Sequence, residues 1–240
     1  MAYADITFHD KSPIKRWLQQ RRLTDAIRLS AHLQNIQTVL DFGAGNGELS
    51  KRLIATFPQA HILCYEPAAD LIAEARKNTE GYRQITLLTD PGIVDAESVD
   101  LLYCLEVFEH LPEKETEAAF ATIRSILRNG GIAIIGVPVE IHLPALYKGL
   151  FRMTRRRGDF DAMLGPILQA TLGFPPKQRP IQEIAMGWSY HFHHLGFDYR
   201  RFRQRLAMQR FTLLRQSTSP IAALGAWFNP EIYFVVRKTN

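Results

Sequence analysis

Apolar residues recur along this chain in two different rhythms. Short, mainly apolar runs, at 39–40, 60–65, 85–88, 99–104 and 132–137, stand between longer segments in which apolar residues return every three or four positions. A continuous run closed by a glycine, a proline or an acidic residue predicts a strand buried on both faces, and the longer spacing predicts an amphipathic helix. Leu49, Leu53 and Phe57 line one such helix. Phe120, Ile123 and Leu127 line a second, over 114–128, and Phe202 with Leu206 mark a third. Strand and helix therefore alternate, which requires a parallel sheet with right-handed crossovers.

The pattern also predicts how the chain opens, breaks and closes. Ser12 and Pro13 suit a helix start, and residues 13–34 read as one or two helices, with Ile14, Trp17 and Leu18 on one stripe and Leu23, Ile27 and Ala31 on another. Asn129-Gly130-Gly131 reads as the left-handed turn that ends the helix over 114–128. Residues 141–196 break the rhythm. A basic amphipathic stretch, Leu143 to Met153, runs into Arg155-Arg156-Arg157 and is followed by Gly165-Pro166 and Phe174-Pro175-Pro176. Runs at 211–214 and 232–236 predict two closing strands. The expected organisation is one domain over 1–240: a helical cap (1–35), a core (36–140), a helical lid insertion over the strand ends (141–196) and a closing helix with strands (197–240).

Composition narrows the class. At 240 residues, 46% hydrophobic and 22% charged, the chain suits a packed core and excludes extensive disorder. Cys64 and Cys104 both sit in apolar runs, the pattern of reduced buried thiols. No apolar run opens the sequence and no stretch is long enough to cross a bilayer, so a soluble, cytoplasmic protein is expected, with room for peripheral membrane contact. The net charge of +5 is unevenly spread. Residues 141–215 hold 13 Lys and Arg against 4 Asp and Glu, and the remainder is net acidic. Such asymmetry points either to an anionic partner or to arginines that solvate helix faces. No feature of the sequence sets an oligomeric state.

Candidate chemistry begins at Asp41, at the end of the first strand, followed by Gly43, Ala44, Gly45, Asn46 and Gly47. Glycines let a loop turn sharply and leave no Cβ between backbone and ligand. Their order is D-x-G-x-G-x-G, not the G-x-G-x-x-G of dinucleotide sites. Glu66 ends the second strand before Pro67, about 20 residues further on, the offset at which an acid meets a ribose. The motif resembles motif I of the Rossmann-like methyltransferases that use S-adenosylmethionine. Val99 to Cys104 followed by Leu105-Glu106-Val107-Phe108-Glu109-His110-Leu111-Pro112 is similar to the fourth strand and following loop of the ubiquinone-biosynthesis O-methyltransferase group. The resemblance covers about two-thirds of the chain and leaves out the insertion.

It implies a three-layer α/β/α fold around a seven-stranded, mostly parallel sheet with an antiparallel last strand. It also implies a cofactor site made by Asp41, Gly43, Ala44, Gly45, Gly47, Glu66, Pro67, Asp90, Leu105 and Glu106, with Asp90 toward the adenine. The acceptor is expected to be a small or lipid-linked molecule, anionic if the basic insertion meets it, and methylated at oxygen. His110, with a side chain that titrates near neutral pH, is the candidate base. A second reading uses the same loop. Glu106, Glu109 and His110, completed by His191, His193 or His194, resemble the metal site of enzymes that methylate the terminal ribose of small RNAs. Similar loops serve metal-free methyltransferases and no RNA-binding module is recognisable, so no metal and no nucleic-acid partner are expected. A non-catalytic scaffold on the same fold is the reading outside enzymology; the intact Asp41, glycines and Glu66 argue against it.

Overall fold

The computed structural model describes residues 13–156, 158–184 and 188–239. Five parallel strands form its centre: β1 (Thr38–Phe42), β2 (His61–Tyr65), β3 (Ile85–Leu88), β4 (Val99–Leu105) and β5 (Leu127–Pro138). Two more, β8 (Phe211–Ser219) and β9 (Glu231–Lys238), extend the sheet on one side, giving the order β3-β2-β1-β4-β5-β9-β8. Strand β9 runs antiparallel to both its neighbours. The expected alternation, the parallel core and the reversed last strand are all present.

Helices cover both faces because the central strands are apolar on both. On one face α1 (Pro13–Arg28) and α2 (Glu48–Thr56) pack Leu23, Ala26, Leu49 and Leu53 against Val39, Leu101, Tyr103 and Ile134. On the same face α3 (Ala69–Asn78) sets Ile72 and Ala75 against Cys64. On the other, α4 (Glu113–Ile126) and α7 (Tyr199–Met208) bring Phe120, Ile123, Phe202 and Leu206 onto Leu40, Leu102, Cys104 and Phe234. The buried hydroxyls on the first face find partners: Tyr103 bonds Ser30, and Tyr233 donates to the Arg22 carbonyl at 2.9 Å.

Two expectations need correcting. Helix α4 ends at Ile126, and Asn129-Gly130-Gly131 lies within β5, where the pairing with β4 shifts register between Val99 and Leu101. The left-handed Gly130 therefore serves a bulge between strands instead of a helix stop. At the other end of the chain, Trp17 is 53% exposed. Helix α1 docks only through its second half, so Leu23 and Ala26 carry the packing. The Ser12 cap and the Ile14 side chain lie outside the described residues.

Between β5 and α7 the chain leaves the sheet. It forms α5 (His142–Arg155) and α6 (Leu164–Thr171), then the short antiparallel pair β6 (Gln182–Ile184) and β7 (Trp188–Tyr190). This insertion begins at the carboxyl end of β5, the side on which open α/β sheets bind ligands.

Candidate active site

The strand order reverses between β1 and β4, and the glycine loop leaves β1 there. Such a switch point opens a crevice at the carboxyl ends of the strands. The amides of Gly43 and Ala44 both donate to the Tyr65 carbonyl, at 2.9 and 2.8 Å, which turns the loop over the end of β2. Gly43, Gly45 and Gly47 have φ of 77°, 56° and 74°, all left-handed. At Gly43 the space is also closed, because an added Cβ would lie 2.4 Å from Val107 Cγ2.

Glu66 fastens this loop. One carboxylate oxygen accepts from the Gly45 amide at 2.9 Å, and the other from Ala68 at 3.0 Å. Burial pushes its pKa up against those two amide bonds. Pro67, exposed, sits between the acid and the start of α3. Ala44 packs toward Cys64 and Ala75. Asp41 lies beneath the loop: it is buried, and its Oδ2 accepts from the Ser50 hydroxyl at 2.7 Å. Burial raises its pKa to about 7. Its hydrogen bond thus ties β1 to α2. Asp90 is exposed and accepts from the Gly92 amide at 2.8 Å, capping the short turn after β3.

The loop after β4 carries the densest chemistry. Phe108 is buried against Phe120 and Phe202, at ring-centre distances of 4.6 and 4.9 Å, and this anchor fixes the residues on either side. Leu105 ends the strand against Gly136. Glu106 follows with φ 56°, rare for a residue with a side chain, and its amide donates to the Gly136 carbonyl at 2.9 Å. Its carboxylate meets Arg22 Nη1 at 2.9 Å. Burial would raise its pKa, but Arg22, ahead of His194, holds it down at about 2. Glu109 is fully buried, and neither of its carboxylate oxygens has a hydrogen-bond partner among the described residues. Burial, reinforced by the neighbouring Glu106, pushes it well above the usual carboxylate range. The same two causes raise Glu231, which opens β9 over Gly136.

His110 is held from several directions. Its Nδ1 lies 2.8 Å from the His191 carbonyl, and the His191 amide donates back to the His110 carbonyl at 2.7 Å. Tyr190 stacks on the ring at 4.4 Å. A carbonyl partner requires the proton on Nδ1, which leaves Nε2 with the lone pair. That Nε2 is 3.1 Å from His194 Nε2 and 3.8 Å from Glu109 Oε1. Burial lowers the pKa of both rings, His194 to about 3. Arg179 braces the pair of loops by donating to the carbonyls of Glu109 and His193.

The glycine loop, Glu66 and the loop after β4 thus gather at the carboxyl ends of β1, β2 and β4. Asp41 and Asp90 stand beside them with local structural partners. Arg22, Glu231 and Arg179 are additions that no sequence pattern announces, apart from the signal of a glutamate opening the apolar run of β9. His193 is not at this site, because it pairs with Asp161 at 3.1 Å within the insertion.

The arrangement fits a nucleoside cofactor. The loop backbone is bare of side chains at Gly43, Gly45 and Gly47, and a carboxylate is fixed at its mouth. A glycine loop closed on a strand-end acid, at the switch point of a sheet whose last strand is reversed, is the arrangement of the Rossmann-like methyltransferase fold. The comparisons with known proteins agree. Residues 40–133 match the family described as Methyltransferase domain. Malonyl-(acyl-carrier protein) O-methyltransferase of Xylella fastidiosa (strain M23) is 27% identical over 135 residues, 53% of this chain and 43% of that protein. Ubiquinone biosynthesis O-methyltransferase of Glaesserella parasuis serovar 5 (strain SH0165) is 31% identical over 106 residues, 40% of this chain and 43% of that protein. The chain spans less than half the length of each of these two curated relatives. Among solved structures, 1,6-didemethyltoxoflavin-N1-methyltransferase of Burkholderia thailandensis, with bound S-adenosylhomocysteine, superposes with a TM-score of 0.60. It is 14% identical and the match covers 98% of this chain and 85% of that one. Over residues 40–133 the chain is thus similar to methyltransferase domains, and its fold is that of the class I, Rossmann-like, S-adenosylmethionine-dependent methyltransferases.

Proposed function

We propose that the protein transfers a methyl group from S-adenosylmethionine to an oxygen of a small or lipid-linked acceptor. The observation that carries this reading is the Gly43–Gly47 loop latched to Glu66 at the switch point, with the His110 loop standing beyond β4. Glu66 would take the ribose hydroxyls, the loop amides the amino-acid end, and Asp90 the adenine edge. When bound, the cofactor supplies a sulfonium that is already a strong methyl donor. The chain's own residues have three tasks: to orient the acceptor oxygen, to exclude water and to remove a proton. His110 is the residue assigned to the last, through Nε2. The insertion over 141–196 serves as the lid that shapes the acceptor pocket, and its excess of cations suits an anionic acceptor. Both curated relatives are named O-methyltransferases, which supports oxygen as the receiving atom. Cys64 and Cys104 are buried free thiols, which supports a reducing, cytoplasmic setting.

Calorimetry with S-adenosylmethionine tests the cofactor half of this reading. Glu66→Ala is expected to weaken binding at least tenfold, and near-normal affinity would overturn the ribose role. His110→Gln is expected to retain cofactor binding and to lose most turnover. Because burial lowers the His110 pKa, the acidic limb of the wild-type rate profile should fall below pH 6.5, the ordinary histidine value.

One observation favours a second reading. Ligand atoms of Glu109, His110 and His194 lie within 4.8 Å of one another, and the buried Glu109 carboxylate has no hydrogen-bond partner among the described residues. A divalent cation among them would answer that orphaned carboxylate and make the reaction metal-dependent, as in ribose 2'-O-methylation of RNA. Glu106 is not in this group, and one of its carboxylate oxygens meets Arg22. Turnover unaffected by EDTA, with no metal retained after dialysis, would remove this reading.

A further inference from the structure

Helix α5 buries Ala145 and Gly149 against the protein and keeps larger apolar side chains outside. The side turned toward the protein carries its ion pairs. Lys148 Nζ and Arg152 meet the buried Glu140 at 3.0 and 2.7 Å, and Lys148 also donates to the carbonyls of Val139 and Pro230. Arg152, ahead of Lys148, holds the Glu140 pKa well below the usual range against its burial. The outward side is apolar. Leu143, Tyr147, Leu150 and Phe151, spaced i, i+4, i+7 and i+8, are all exposed. Helix α6 also exposes large apolar side chains: Ile167 and Ala170 are buried against α5, while Leu164, Leu168 and Leu172 face out. Phe174, just beyond, is 77% exposed.

The connection between β8 and β9 continues this surface. Trp227 and Phe228 are both exposed there. Trp227 stacks on His142 at 4.0 Å, and Tyr147 donates to the Phe228 carbonyl at 3.3 Å. His142 in turn backs onto Gly173, next to Phe174. Two helices and a loop thus present one connected apolar surface, larger than the scattered apolar residues a soluble face carries. Each of these side chains is exposed over a large part of its surface.

We propose that this surface docks on an anionic lipid bilayer, with α5 and α6 lying in the headgroup region. The rim supplies the charge complementarity. Exposed Arg155 and Arg156 lie over the rings of Phe151 and Phe192, at 4.4 and 5.5 Å, within a segment that is strongly basic. Aromatic and leucine side chains with arginines at their margin are what an interfacial helix uses to enter headgroups and pair with anionic lipid. A symmetric dimer through the same face would set this basic rim against itself. No helix among the described residues is long and apolar enough to cross a membrane, so the contact is peripheral. The inference deepens the lipid-linked-acceptor reading, and its test uses neither cofactor nor acceptor.

The test is co-sedimentation of the full chain with vesicles of phosphatidylcholine containing phosphatidylglycerol, and with vesicles of phosphatidylcholine alone. Binding to the anionic vesicles is expected to be at least tenfold stronger and to weaken with salt. Leu150→Glu with Phe174→Glu should abolish it, while leaving S-adenosylmethionine affinity by calorimetry unchanged. No partition onto anionic vesicles, or equal partition of the double variant, would overturn the proposal. So would a dimer in light scattering that the same variant dissolves, because the face would then belong to a second copy. Loss of cofactor binding in the wild type would instead count against the methyl-transfer reading and leave the docking result standing.

Discussion

Gly43 shows how much a single residue decides at this site. Its φ of 77° disfavours a side chain, and the Val107 methyl occupies the place a Cβ would take. Gly43→Ala must therefore move either the loop or the strand β4 extension that carries Glu106. A left-handed alanine and an overpacked contact together cost roughly 1–3 kcal/mol. The expected outcome is a folded protein with a Tm lowered by several degrees and at least tenfold weaker S-adenosylmethionine binding by calorimetry. Unchanged affinity would mean that the loop does not contact the cofactor. This residue was legible in the sequence, because its role is local: a turn that needs a missing side chain leaves a glycine behind. Glu66 was legible for the same reason, since the end of β2 lies a fixed distance along the chain from the loop it fastens. The partners of Glu106 were not. Arg22 comes from α1 and Glu231 from β9, and nothing local to either marks it as half of a pair.

At the scale of elements, α5 and α6 stand or fall together. Their contact is Gly149 against Ile167, where an added Cβ would sit 2.7 Å from the Ile167 side chain. Gly149→Val is expected to force the helices apart, at about 1–3 kcal/mol. The damage should stay local. Hydrogen exchange should quicken over residues 142–172, with the amides of β1, β4 and β5 as protected as in the wild type. Accelerated exchange throughout the sheet would show that the insertion is part of the core's cooperative unit. The sequence predicted α5 as a basic amphipathic stretch over 143–153, but it read Gly165-Pro166, which lies in the first turn of α6, as punctuation. It did not say which face turns inward, because that depends on Glu140, which lies outside the helix and draws Lys148 and Arg152 down. The misread end of α4 has a similar cause. Asn-Gly-Gly permits a left-handed residue equally in a helix stop and in a strand bulge, and the pairing of β4 with β5 selects the bulge.

Across the whole molecule, the histidines make folding sensitive to acid. His110, His142, His191 and His194 all have pKa values lowered first by burial. Below the ordinary value of 6.5 the unfolded chain binds protons that the folded chain refuses, so stability falls as pH drops through that window. For His194 the window extends down to about 3. Glu109 and Glu231, raised by burial, act with the opposite sign, so the informative quantity is a difference. Between pH 7.5 and 5 the Tm of His194→Gln is expected to change less steeply downward than that of the wild type. Parallel curves would indicate that His194 titrates as an exposed ring.

The sequence by itself determined the order of strands and helices, the cofactor loop and its strand-end acid. Each is written within a few consecutive residues, in a hydrophobic period or a backbone requirement. Only the tertiary structure decided what surrounds the His110 loop and which way the insertion faces. Those depend on charges brought together from α1, β5, β9 and the insertion, and burial sets the protonation of groups that are far apart along the chain.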